Sequence, residues 1–291
     1  MIFLKKFISA IAFAAVMVLV FSGCSSKNSS KESRAEATSQ PFTEREVETA
    51  EGTYIFDKAN ILDSETIKAC NDYAGWLYKK KLINAAVITV NDLEGKYPYD
   101  YAAEEYNKLY EGKGSGLVVL INNDTNYDSV FRSGSCLYGI SDKAEYNAVY
   151  WETKEVLKGD YRSGIMRLLQ LGELCPMHVI DNAQVFDMDQ LNKIEKTLSS
   201  CKEDVTLIAS HNGSETPNDQ ILQQYYDRKY KNDKGIMFML DTISGKILVH
   251  SSEKISSDIE KALKDANTLS AKGDNYGAVN KILEALKKAD D

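Results

Sequence analysis

The sequence predicts an α/β protein made of two tandem three-layer α/β/α sandwich domains related by internal duplication. Three observations support this fold class. Segments with apolar residues at helical spacing alternate with short β-rich runs. One run, residues 117–121, contains no polar residue, as expected of a strand covered by helices on both faces. Finally, a set of short motifs occurs twice in the same order.

Length and charge limit the classes of function. The chain has 291 residues, 43% of them hydrophobic, which is enough for two domains with their own cores. Lys and Arg total 35 against 43 Asp and Glu, a net charge of −8, and no basic block is present. A nucleic-acid partner is therefore not expected.

The first 23 residues have the layout of a secretory signal. Lys5 and Lys6 precede an apolar run over residues 7–21, and Cys24 follows a small residue. The segment resembles a bacterial lipoprotein signal, although that class usually has Leu where this chain has Phe21. The resemblance implies cleavage before Cys24, lipid attachment to its thiol, and a location on the outer face of a bacterial cell membrane. The alternatives are a signal cleaved elsewhere and a single membrane anchor, although the run is shorter than the roughly 20 residues that cross a bilayer.

The polar stretch over residues 24–52 is predicted to be a flexible tether, because it has too few large apolar residues to pack. As a coil it would reach about 30 Å, enough to hold a domain clear of a membrane surface.

The rest of the chain contains the repeat. Residues 53–175 form the first predicted domain, and residues 176–291 form the second. The matched pairs keep their order, as a duplication predicts; they are Asp57-Lys58-Ala59 with Asp181-Asn182-Ala183, Tyr106 and Tyr110 with Tyr226 and Tyr230, residues 116–120 with 235–239, and Gly159-Asp160 with Gly273-Asp274.

Periodicity predicts the elements of the first copy in order. Asp63 precedes apolar residues at helical spacing and is the expected N-cap of the first helix. The later elements are a strand over residues 85–90, a helix around 102–110, strands over 117–121 and 129–133, and helices near 143–157 and 163–174.

In the second copy, Asp187 is the expected N-cap of a helix whose apolar stripe is Leu191, Ile194, Leu198 and Cys201. Strands are predicted at residues 205–209 and 235–239.

Four marks of the first copy resemble the TPM domain family. They are Asp57-Lys58-Ala59, the glycine-rich residues 112–116 before a strand, residues 133–142, and Gly159-Asp160-Tyr161. The resemblance covers residues 53–174. The second copy is a weaker match that keeps Asp233-Lys234-Gly235 and has Asp258 as the counterpart of Asp142. Both copies lack the Asp-Asn pair that the family commonly has before the strand glycine.

The resemblance implies a role in assembly or repair of membrane complexes, acid phosphatase activity as in some members, or calcium binding as in others. The candidate metal ligands are Asp57 and Asp142 in the first copy and Asp181, Asp233 and Asp258 in the second. Oxygen ligands favour calcium or magnesium, and both aspartates of the first copy are expected at the rim of the sheet. The structural alternative is that Asp57 and Asp181 cap turns while Asp142 and Asp258 cap helices.

The sequence thus predicts a lipid-anchored binding or assembly module with a membrane-protein partner. The alternative is a divalent-metal-assisted acid phosphatase, because clustered carboxylates repel a phosphate unless a cation lies between them or one is protonated. A third hypothesis is a solute binder with a cleft between its domains. The short junction at Cys175-Pro176 favours domains that are fixed relative to one another.

Four cysteines follow the tether. Cys70 and Cys201 lie on apolar helical stripes and are predicted to be buried thiols. Cys136 and Cys175 do not lie on such a stripe. A chain outside the cytoplasm can form disulfides, and four cysteines allow three pairings among which the sequence does not choose.

Overall fold

The computed structural model describes residues 45–112, 114–125, 127–211, 216, 218–231 and 233–290. The predicted signal, the lipidation site Cys24 and residues 24–44 of the predicted tether lie outside the described residues. The prediction of a flexible tether was wrong for residues 45–52, because the Ala50 amide donates to Asp72 Oδ1 at 2.9 Å and Val47 packs against the first copy's core. All described residues belong to one compact unit. None of the described helices is both long and apolar enough to cross a membrane.

The first copy contains a four-stranded sheet in the order β1-β2-β3-β4. Strands β1, β2 and β3 are parallel, and β4 runs antiparallel to β3. The strands are β1 Ile55–Asp57, β2 Ile83–Val90, β3 Ser115–Asn122 and β4 Ser129–Ser133.

Helices cover both faces of this sheet. They are α1 Ser64–Lys80, α2 Pro98–Tyr110, α3 Ser135–Gly139, α4 Asp142–Val156 and α5 Tyr161–Leu169, followed by a 3-10 turn over Gln170–Leu174. Because side chains alternate along a strand, Ala86 and Ile88 pack with α2, while Ala85 and Val87 pack with the helices of the opposite face. This double burial explains why the central strands are apolar throughout.

The second copy repeats the arrangement, with β5-β6-β7 parallel and β8 antiparallel. Helix α7 covers one face, and α6, α8 and α9 cover the other. The predicted fold class, with two tandem α/β domains, is confirmed. The elements are β5 Val179–Asp181, α6 Met188–Leu198, β6 Val205–Ser210, α7 Asn218–Lys229, β7 Ile236–Asp241, β8 Lys246–Ser251, α8 Ser257–Ser270 and α9 Asn275–Asp290.

Side-chain caps set the starts of the helices. Asp63 accepts a hydrogen bond from the Thr66 amide, and Asp187 forms a capping box with Gln190, so both predicted N-caps are confirmed. The caps of α4 and α8 are Ser141 and Ser256 instead.

The expectation that Asp142 and Asp258 cap these helices was therefore wrong. Each lies in the first turn just inside its cap. A carboxylate there still interacts favourably with the helix dipole.

The amino edge of the first sheet packs against β5 and α7 of the second copy. Leu82, directly before β2, is 2% exposed because it lies in the second copy's apolar cluster with Ile180, Leu222, Tyr226 and Met239. The two copies therefore share part of a core.

Three hydrogen bonds reinforce this seam. The Ser115 hydroxyl donates to Asn182 Oδ1 at 2.7 Å, and Ser115 Oγ accepts the Ser135 amide at 2.9 Å. Ser135 Oγ in turn accepts the buried Asp181 amide at 3.0 Å. The end of β5 is thus held by two serines of the first copy.

We expect Ser135→Ala to lower the free energy of unfolding by about 1–3 kcal/mol, because the buried Asp181 amide loses its acceptor. Urea denaturation measures this change. Ser257→Ala, at an exposed position of α8, is the control and should change stability little. Equal stability of the two variants would contradict the seam described here.

Candidate functional site

Asp57 lies at the carboxyl end of β1 and closes the turn that follows. Its Oδ1 accepts the Ile61 amide at 3.2 Å, and its Oδ2 accepts the Leu62 amide at 3.0 Å. The Thr89 hydroxyl also donates to Asp57. Both carboxylate oxygens are therefore used inside the chain, as the capping alternative predicts.

Asp181 repeats this arrangement in the second copy. Its two oxygens accept the amides of Val185 at 3.2 Å and Phe186 at 3.0 Å, at the same sequence separations as in the first copy. Asp181 is fully buried, and burial raises its pKa while the backbone amides oppose that change. The shared geometry supports the duplication at the level of single atoms.

Asp142 lies at the opposite edge of the first sheet from Asp57. Asp57 is level with Thr89 at the carboxyl ends of the parallel strands. Asp142 forms an ion pair at 2.9 Å with Arg132, which is level with Leu117 near the amino end of β3. The structure does not bring the two aspartates together.

The second copy separates its candidates in the same way. Asp181 ends β5, whereas Asp233 precedes the amino end of β7 and forms an ion pair at 3.3 Å with Lys80 of the first copy. Asp258 is exposed in the first turn of α8. Among the described residues, no group of three or more His, Cys, Asp or Glu side chains could hold a metal ion. A calcium or magnesium site stays a prediction.

A buried pair of acids, Asp128 and Glu152, was missed from the sequence. Asp128 precedes β4, and its Oδ1 accepts the Asn122 amide at 2.7 Å. Glu152 lies on α4 with no exposed surface. Burial, together with the charge and hydrogen bond of Asp128, raises the pKa of Glu152 to about 9. At neutral pH the pair therefore holds one proton between two carboxyl groups.

Part of this pair was visible in the sequence. Glu152 lies one helical turn from both Ala148 and Val156, which are buried on α4. A glutamate on such a stripe signals a buried, protonated or paired acid. Asp128 follows a loop and gives no comparable signal.

The cleft between the two copies is the larger candidate site. It has a volume of about 770 Å³, and the segment 46–54 and the end of α1 form one side of it. The rings of Tyr54 and Tyr78 lie 5.5 Å apart between their centroids, and Trp76 also lines the cleft. Ligand sites of this size commonly lie between domains and are lined by aromatic residues.

Arg228 of α7 forms the wall of the cleft on the side of the second copy. Its guanidinium lies 3.3 Å from the centroid of the Tyr78 ring, and its Nε donates to the Tyr78 carbonyl at 2.6 Å. Its Nη1 donates to Asn84 Oδ1 at 3.3 Å. Within the described part of the chain, the buried Nη2 has no hydrogen-bond partner.

The rim of the cleft carries both signs of charge. Lys79 pairs with Glu48 at 3.1 Å, and Lys231 pairs with Glu51 at 2.8 Å. A cleft between the domains was one hypothesis from the sequence, but its residues were not identified, because residues near positions 50, 78 and 228 meet only when the copies pack together.

Comparison with known proteins finds a match to the first copy. The family model of the TPM domain matches residues 55–171, the stretch whose motifs resemble that family. The match covers well under half of the chain and does not include the second copy. That the second copy is also a TPM domain stays a prediction.

Two solution NMR structures resemble the chain. One is the N-terminal domain of a protein from P. gingivalis, with 13% identity and a TM-score of 0.38 over 42% of this chain and 81% of that chain. The other is the N-terminal domain of a Corynebacterium glutamicum protein, with 15% identity and a TM-score of 0.35 over 45% and 88%. No curated protein matches the sequence.

We expect the stability of the protein to fall as pH rises, because of Glu152. Its pKa is higher in the folded state than the usual 4.5, so its stabilising contribution is complete below that value and is lost toward about pH 9. The expected slope is up to about 1.4 kcal/mol per pH unit. Urea denaturation between pH 5.5 and 8.5 measures it.

Glu152→Gln should flatten this dependence, because glutamine donates to Asp128 without titrating. Glu260→Gln, at an exposed position of α8, should leave the slope unchanged. A wild-type protein equally stable at pH 6 and pH 8 would be incompatible with the shared proton.

We expect Asp57→Asn to lower the free energy of unfolding by about 1–3 kcal/mol, because an amide has only one oxygen for the two backbone donors. Denaturation without divalent cations measures the capping role. Repeating it in millimolar calcium tests the metal role: a calcium-dependent gain in the wild type that disappears in the variant would show that Asp57 is a ligand. A variant as stable as the wild type in both conditions would contradict both roles.

Proposed function

We propose that this chain, which matches the TPM domain family at residues 55–171, is a lipid-anchored protein on the outer face of a bacterial cell membrane that works as a binding or assembly module. The observation that carries the proposal is the cleft between the copies, with Trp76, Tyr78 and Arg228 in its walls. Aromatic residues and arginine are the residue types that contribute most to binding at protein interfaces.

The proposed attachment to the membrane is inferred from the sequence alone. The signal over residues 1–23 and the cysteine after it support a lipid anchor at Cys24. Two acyl chains on the mature amino terminus would hold the protein stably, whereas one chain gives only reversible binding. The tether would let the cleft reach the exposed parts of proteins in the same membrane.

The chemistry of the cleft favours a polypeptide as its occupant. Its aromatic walls suit apolar or aromatic side chains, and the guanidinium of Arg228 suits a carboxylate or a backbone carbonyl. The rim pairs Lys79 and Lys231 with glutamates, so it presents no single sign of charge to a polyanion. We infer that the occupant is an exposed segment of a membrane-protein partner.

The alternative is a divalent-metal-assisted acid phosphatase. That mechanism needs two or more carboxylates around one cation. Asp57 and Asp142 lie at opposite edges of the sheet, so they do not form such a site together. The geometry therefore favours the binding module over this pair of catalytic ligands.

We expect mild crosslinking of cells that make the full chain to capture a membrane protein, and Trp76→Ala to reduce the capture at least tenfold, as for a central aromatic contact. Trp151→Ala removes the other tryptophan, on α4, which does not line the cleft, and is the matched control. Circular dichroism of both variants checks their folding. Unchanged capture by folded Trp76→Ala protein would show that the cleft is not the binding site.

A phosphatase assay on the purified protein tests the alternative function. An aryl phosphate assay from acidic to neutral pH, with calcium or magnesium and then with a chelator, should show no turnover if the chain is a binding module. Hydrolysis that both Asp57→Asn and the chelator abolish would instead establish the phosphatase.

A further inference from the structure

We propose that Cys136 and Cys175 are a modification site at which a disulfide bond joins α3 to the junction between the two copies. The two Sγ atoms lie 3.2 Å apart. Cys136 is 0% exposed and Cys175 is 2% exposed. A disulfide has an S–S distance of about 2.05 Å, so a shift of about 1 Å closes the bond.

The other cysteines lie elsewhere in the fold. Cys70 lies inside α1 in the apolar core of the first copy. Cys201 follows α6 and packs against the core of the second copy. The two pack in the cores of different copies, so the structure favours one bond, between Cys136 and Cys175, over the three pairings that use all four cysteines.

The backbone around the pair is already held in place. The Lys81 ammonium donates to the carbonyl oxygens of Glu173 at 2.9 Å and Cys175 at 2.7 Å. Gly139, at the end of α3, approaches the junction so closely that a Cβ atom there would lie 2.6 Å from Cys175 Cα. The two segments therefore meet whether or not the sulfurs are bonded, and the bond costs little rearrangement.

The oxidation balances as a thiol–disulfide exchange. One cysteine, as a thiolate, attacks a disulfide oxidant, which releases one thiol and leaves a mixed disulfide on the protein. The second cysteine attacks the protein sulfur of that mixed disulfide and releases the second thiol. The two cysteines lose two protons and two electrons, and the electrons reduce the oxidant's disulfide to two thiols.

Access decides when the bond forms. Cys175 lines a depression of about 440 Å³ beside Lys81, Tyr138 and Pro176, through which a small disulfide can approach. Cys136 has no such access, and its burial raises the pKa of its thiol well above the usual range. Exchange in the folded protein should therefore be slow, and the bond should form mainly while the chain folds.

The test uses the full chain with Cys24→Ser, which removes the fifth thiol. The protein is unfolded with reductant, refolded with oxidised and reduced glutathione, alkylated and analysed by peptide mass spectrometry. We expect a peptide that links Cys136 to Cys175, with Cys70 and Cys201 alkylated. Refolding to four alkylated cysteines, or to any other linked pair, would overturn the proposal.

A second readout separates the bond from general effects of oxidation. The refolded, oxidised protein should melt about 5–10 °C above the reduced protein. Cys201→Ser should keep that difference, and the double variant Cys136→Ser with Cys175→Ser should lose it. A difference that survives in the double variant would argue against this pair.

In cells, the bond rests on the proposed location outside the cytoplasm, where disulfides persist. Protein isolated from membranes under rapid alkylation should carry the linked peptide. Free thiols in cells combined with a linked peptide after refolding would count against the location alone. Free thiols in both preparations would reject the disulfide.

Discussion

The arrangement of the two copies depends on burial of the polar amino edge of the first sheet against β5 and α7 of the second copy. The ends of parallel strands expose backbone groups that need partners once water is removed. Ser135 accepts the Asp181 amide at the end of β5, Ser115 donates to the Asn182 side chain just after it, and Leu82 fills an apolar space in the second copy. Together with the contacts of Arg228 to Tyr78 and Asn84, this seam holds the two copies against each other.

The contact also makes the two copies unequal. Asp57 and Asp181 hold the same turn with the same pattern of hydrogen bonds, but Asp57 is half-buried and Asp181 has no exposed surface. The first copy thus covers the carboxyl end of β5, whereas the corresponding end of β1 stays partly exposed. A hinged solute binder would have to break a shared core to open, so the fixed arrangement expected from the short junction fits the packing better.

Much of the fold was predictable because it is local. Asp63 and Asp187 signal helix starts through the residues that follow them, and β4 was predicted with its observed bounds. Strands β1 and β5 were not predicted as strands, because three residues show no periodicity. The edge on which Asp142 lies was not predictable either, since it depends on β4 turning back along β3. The cleft residues share no local pattern, and only packing brings them together.

The shared core around Leu82 has a consequence for synthesis of the chain. The ribosome completes the first copy first, and the second needs on the order of ten seconds to emerge at usual rates of translation. During that interval Leu82 and the hydroxyls of Ser115 and Ser135 are exposed to water, because the second copy that covers them has not yet been synthesised. The nascent protein is then most exposed to wrong association, and a chaperone that shields this patch during synthesis would protect it.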